Sequence, residues 1–221
     1  MSKKKEIISL IIGFMGTVAG LYGVVAFNQF VMMSLSLGMR MVSMILTYWL
    51  IALIPIVVML ANKDRLTDYG FSKNKIWTQI IVGILIGVVM SVVLTLMPHL
   101  FGLGEFVDSG KRYVYLWQFA YEFLYCILAV GLVEEFVFRG FIFEKTKRIG
   151  GKDIIAVTIS SVLFGVFHLF SGNIVQMLMT AFLGALFCVC RLKIKNCSTL
   201  SLIIGHGVYD AMITVFASAL L

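Results

Sequence analysis

The stretch Gly131–Gly140, GLVEEFVFRG, carries two adjacent glutamates and an arginine inside a run otherwise made of apolar side chains. Two of the three histidines stand in similar surroundings: His168 in FGVFHLF, with Phe164 one helical turn before it, and His206 in GHGVYD, with Asp210 one turn after it. If these stretches are helical, Glu135 and Arg139 pair at i,i+4 with the acid on the N-terminal side, the favourable order. Glu134 then points about 100° away around the helix and keeps no charge partner in its own turn. Asp210 reaches His206 by the same spacing, so the carboxylate can orient the imidazole.

A carboxylate and two imidazoles in a partly dry cavity suit a narrow chemistry. The carboxylate takes a proton from water as general base, one histidine shares that water, and a further donor stabilises the oxyanion of a tetrahedral intermediate. Such a set hydrolyses an amide without a covalent intermediate. No G-x-S-x-G, no H-E-x-x-H and no intramembrane aspartyl pair is present. Glu134, His168 and His206 could also bind zinc with an open fourth position. The reading without a cofactor is favoured, because the three groups count to different depths and Asp210 can orient only one imidazole. Blander readings exist for single residues. Glu135 with Arg139 can be a structural lock, His168 an interhelical hydrogen bonder, and Glu122, counted at about 33 Å from Glu144, a solvated group at the outer interface. What favours chemistry is convergence, since nearly every other ionisable group lies in a loop.

The elements that position these residues follow from composition. With 61% hydrophobic residues, 13% charged residues and a mean hydropathy of +1.02, the chain cannot fold as a water-soluble domain with a covered core. The expectation is all-α: a polytopic transmembrane helical bundle forming one integral membrane domain over residues 1–221, with the motifs in about 113–221. Seven apolar stretches, about 20 residues each, are long enough to cross roughly 30 Å of hydrocarbon. They run Ile7 to Phe27, Met41 to Ala61, Ile76 to Met97, Tyr113 to Phe143, Ile154 to Phe170, Ile174 to Cys190 and Leu200 to Leu220. The count becomes eight if the long fourth stretch is broken. Gly16 with Gly20 and Gly83 with Gly87 have the spacing that lets helix backbones approach closely.

Lys and Arg fall on alternate loops: Lys3 to Lys5, Lys63 to Lys75, Lys145 to Lys152 and Arg191 to Lys195. The positive-inside rule then puts the N-terminus in the cytoplasm, and topology accounts for the net charge of +7 without a nucleic-acid partner. Counted from the ends of an uninterrupted helix, Glu134 and His206 lie about 15–16 Å deep, where a charge costs about 2.5–3.5 kcal/mol. His168 counts nearer the outer side. The four cysteines have no paired spacing and read as reduced packing residues.

The E-E-x-x-x-R of Glu134, Glu135 and Arg139, the F-x-x-x-H of Phe164 and His168, and the H-x-x-x-N/D of His206 and Asp210, in this order on successive helices, resemble the CPBP family. It includes type II CAAX prenyl endopeptidases and bacteriocin-processing or bacteriocin-immunity proteins, and is also called the Abi family. The resemblance covers Leu116 to the C-terminus. It implies that Glu134 and His168 activate the attacking water, that His206 and Asp210 stabilise the oxyanion, and that Glu135 and Arg139 are structural or orienting. It also implies a membrane-associated or lipidated peptide substrate, in a protein of the bacterial cytoplasmic membrane. Two departures stand. The prenyl-protease branch has asparagine where this chain has Asp210, which must be protonated to donate to an oxyanion and otherwise acts by orienting His206. The family is usually drawn with eight spans. Two other classes compete with the enzyme: a non-catalytic immunity or membrane-peptide-binding protein, and a proton-coupled transporter, for which no internal repeat is visible.

Overall fold

The computed structural model describes residues 2–108, 110–169 and 172–220. Phe170, the expected end of the fifth stretch, and Leu221 lie outside the described residues. In hydrocarbon every backbone N–H and C=O must be satisfied within its own segment, so apolar stretches of this length wind into helices. They run as α1 Lys3–Phe30, α2 Leu37–Tyr48, α3 Leu50–Ala61, α4 Ile76–Leu100, α5 over residues 116–150, α6 Asp153–Leu169, α7 Ile174–Lys193 and α8 Thr199–Leu220. No strand occurs among the described residues.

Among the described residues, five helical stretches are long and apolar enough to cross a membrane: Lys3–Ser34, Leu37–Ala61 (α2 with α3), Ile76–Leu100, Ile174–Lys193 and Thr199–Ala219. The chain is an integral membrane protein. The two remaining members of the expected seven differ for physical reasons. Helix α6 is apolar but short, and α5 carries the glutamates and the arginine. The fourth stretch is unbroken, starting at Leu116 rather than Tyr113 and running past Phe143 to Gly150, where Gly151 in the left-handed region caps it with a 2.7 Å bond to the Lys147 carbonyl.

Helix α5 is the hub. Residues 133–143 are all buried, so it presents no lipid face there, and its phenylalanines pack against α1, α3 and α6. It is not a uniform α-helix. Cys126–Gly131 and Glu135–Ile142 are π-helical, with wider turns on either side of Leu132–Glu134. Helix α4 lies against α8 across Gly83 and Gly87. A Cβ at Gly83 would fall 2.5 Å from the Ser201 carbonyl and one at Gly87 would fall 2.7 Å from that of Gly205. Gly16 and Gly20 make the matching close approach of α1 to α3.

One expectation is overturned. Glu122 is buried, with Lys111 Nζ at 2.6 Å and the Tyr113 hydroxyl donating at 2.9 Å. The segment before α5 folds back over the helix end and replaces water with its own donors.

Candidate active site

The motif residues come together at the middle of α5. Glu134 is buried, and its Oε1 accepts a short hydrogen bond from the Tyr48 hydroxyl at the end of α2. Its Oε2 has no hydrogen-bond partner and lies 4.0 Å from His168 Nε2 and 3.8 Å from His206 Nε2. The depth difference counted from sequence therefore vanishes in the packed bundle.

Both imidazoles are oriented by their other nitrogen. His168 Nδ1 lies 3.0 Å from the Phe164 carbonyl, which can only accept, so this nitrogen carries a proton and the ring turns Nε2 toward Glu134. The ring stands edge-on to Phe164, with centroids 4.6 Å apart. His206 Nδ1 is 2.7 Å from Glu135 Oε1, and its Nε2 is 3.3 Å from Asp210 Oδ2. The ring stacks on Phe187 at 5.3 Å. Asp210 thus sits on the nitrogen that faces Glu134, while the nitrogen behind it is held by Glu135.

Glu135 is itself anchored. Arg139 NH1 approaches the same Oε1 at 2.9 Å, and both side chains are fully buried. No guanidinium nitrogen makes a well-angled hydrogen bond, so the ion pair and the Phe164 ring 4.1 Å beneath the guanidinium hold Arg139. The order of support runs Arg139, Glu135, His206.

Glu134, His168, His206, Asp210 and Phe164 line a cavity of about 80 Å³, with Leu183 and Tyr209 at its margin. It is large and polar enough to hold water. All seven residues singled out from sequence lie at or beside it. Sequence reasoning missed Tyr48, whose only signal was a phenol in the middle of an apolar stretch. It also missed the Glu135–His206 bond, which joins residues 71 positions apart.

The fourth-position zinc alternative can be set against these distances. Donors about 2.1 Å from an ion and separated as Oε2 is from the two Nε2 atoms would subtend about 130–145°, well above the tetrahedral angle. As placed, the set is too open for a tetrahedral site, and among the described residues no group of three or more His, Cys, Asp or Glu is arranged to hold a metal ion.

Residues 116–212 match the family model of Rce1-like type II CAAX prenyl endopeptidases. The Rce1-like segment spans α5 to most of α8 and contains every motif residue, which agrees with the resemblance drawn from Glu134, Glu135, Arg139, Phe164, His168, His206 and Asp210. Tyr48 lies outside the Rce1-like segment. Comparison with curated proteins and with solved structures gave no significant match.

Proposed function

We propose that the chain is an intramembrane endopeptidase that hydrolyses a peptide bond in a membrane-associated or lipidated polypeptide through a water activated by Glu134 and His168. One observation carries this reading: a buried carboxylate oxygen without a hydrogen-bond partner faces two imidazole nitrogens across a water-sized cavity. A water there would give one hydrogen to Glu134 Oε2 and the other to Nε2 of His168 in its neutral form, which leaves an oxygen lone pair for the scissile carbonyl. As the C–O bond forms, Glu134 takes the proton; as the C–N bond breaks, it returns that proton to the leaving amine. The carbonyl electrons collect on an oxyanion. In its doubly protonated form His206 donates to that oxyanion from Nε2 while Nδ1 donates to Glu135, and a protonated Asp210 could add a second donor. Tyr48 holds the other Glu134 oxygen in register. The Rce1-like match supports the reaction class.

We further propose seven passes with a cytoplasmic N-terminus, in a bacterial cytoplasmic membrane, and chemistry that needs no metal. The loop charges and the open donor angles favour these readings. The test is to incubate purified protein with a panel of membrane-derived peptides. Wild type is expected to cleave at least one and to survive chelation without a stoichiometric metal, while Glu134→Gln stays monodisperse and inactive. Equal cleavage by both would remove Glu134 from the mechanism, and no cleavage by either would favour a membrane-peptide-binding protein. Activity lost in chelator and regained with zinc would restore the metal version.

A further inference from the structure

The catalytic cavity is far too small for a polypeptide, so the substrate backbone must reach Glu134 from a larger space. Helix α5 is buried all round over residues 133–143. Toward the lysine-rich end, buried Arg139, Lys145 and Tyr69 close the bundle. Toward the other end lies a groove of about 600 Å³, within the usual range for ligand sites, and it shares Leu183 and Tyr209 with the catalytic cavity. Its walls are the end of α4 at Leu94, the turn containing Phe106, Val175 and Met179 on the first half of α7, and Ile213 on α8. Phe106, Val175 and Met179 are each more than half exposed, which leaves apolar surface uncovered along its length.

The polar groups at the mouth limit what fits. Glu105 and Asp108 line it, no lysine or arginine does among the described residues, and Asp108 is already held by Arg112 at 2.6 Å. A free C-terminal carboxylate would find acids and no lining cation. An apolar stretch from inside a polypeptide meets no such penalty.

We propose that this groove is the substrate cleft. An extended apolar segment interior to the substrate lies between the Phe106 turn and α7, reaching the scissile bond at Leu183 and Tyr209 from the face that carries residues 101–108, opposite the lysine-rich loops. This rests on the endopeptidase reading of the same site. In the proposed topology it is the non-cytoplasmic face.

The experiment places cysteine at Met179 in the Glu134→Gln chain and labels oriented membrane vesicles with an impermeant maleimide, counting label beyond that taken by the native cysteines. The probe is a capped Leu/Val-rich peptide ending in lysine for solubility. The expected result is labelling from the face of residues 101–108, slowed at least about fivefold by the peptide. In parallel, Val175→Trp and Met179→Trp are assayed on any panel peptide that wild type cleaves, with KM expected to rise at least about tenfold. Val175 stands at the exposed mouth, so that variant folds even if Met179→Trp does not. Labelling indifferent to peptide, or an unchanged KM in a folded Trp variant, overturns the cleft while leaving the protease reading intact. If wild type cleaves nothing, the protease reading fails, and the labelling arm, which needs no cleavage, still decides whether the groove binds peptide.

Discussion

Helix α5 carries two charged clusters that solve opposite problems. At its far end Lys145, with no exposure, sits 2.9 Å from Glu6 Oε2 and 2.8 Å from Asp64 Oδ2, and Arg148 approaches the same acids at 3.6 and 3.3 Å. Two acids meet two cations, and Tyr69 donates to Asp64 at 2.6 Å. Burial pushes the Asp64 carboxyl up, but the hydrogen bonds from Lys145 and Tyr69 and the charges of Lys145 and Arg148 win, leaving its pKa lowered. In the middle of the helix, Glu134, Glu135 and Asp210 meet a single guanidinium and two imidazoles, and one Glu134 oxygen is left without a hydrogen bond. The balanced cluster ties α1 and the loop after α3 to α5, and each of its acids faces a cation within 4 Å. The unbalanced one keeps an acceptor in reserve, which a hydrolase needs and a clamp does not.

Substitutions in the two clusters should therefore separate fold from chemistry. The largest effect is expected from Arg139→Ala, which leaves Glu135 buried without its cation at a cost of about 3–5 kcal/mol. Membrane extracts should contain little folded protein, and normal abundance with normal activity would dismiss the pair. Adding Glu135→Gln to that variant should recover folded protein but not full activity, because His206 loses its charged anchor. Next comes His206→Ala, expected to fold normally and lose about 10²–10³-fold in kcat, as for an oxyanion donor; a loss confined to KM would move His206 from the reaction to binding. Lys145→Ala should cost about 1–3 kcal/mol in thermal unfolding and leave kcat of the folded fraction unchanged. Because the folded pKa of Asp64 is lowered, its contribution is present above the unfolded value near 4 and disappears as pH falls through the folded value, so this clamp should hold at neutral pH and weaken only in acid. The smallest effect is expected from Tyr48→Phe: a drop in kcat of up to about tenfold, with KM and melting temperature unchanged, as for a group that positions Glu134 through one hydrogen bond. A change in melting temperature without one in kcat would make Tyr48 merely structural.

The contrast also explains what the sequence could reveal. Charges confined to loops leave a visible residue of charges that are not, so Glu134, His168 and His206 stood out. Tyr48 did not, because a phenol costs little in an apolar stretch and its partner is 86 residues away. Glu122 was misplaced by counting helical rise outward, which ignores a loop that returns over the helix end with Lys111 and Tyr113. The five long apolar stretches were legible from length alone, whereas α5 combines an apolar first half with buried Glu134, Glu135 and Arg139 in its second.

The π turns in α5 were invisible for another reason: a change in hydrogen-bond register leaves no mark on residue type. Each wide turn amounts to one residue inserted into an otherwise regular helix. Deleting a residue within Cys126–Gly131 would restore an ordinary ladder and improve local helical geometry, yet it would rotate everything beyond it by about 100° relative to the N-terminal half of the helix. Either Glu134 would then turn from Tyr48 and the histidines, or Glu122 would turn from Lys111. A relative with a one-residue gap at this point would therefore need to rebuild one end of the helix in order to keep the other.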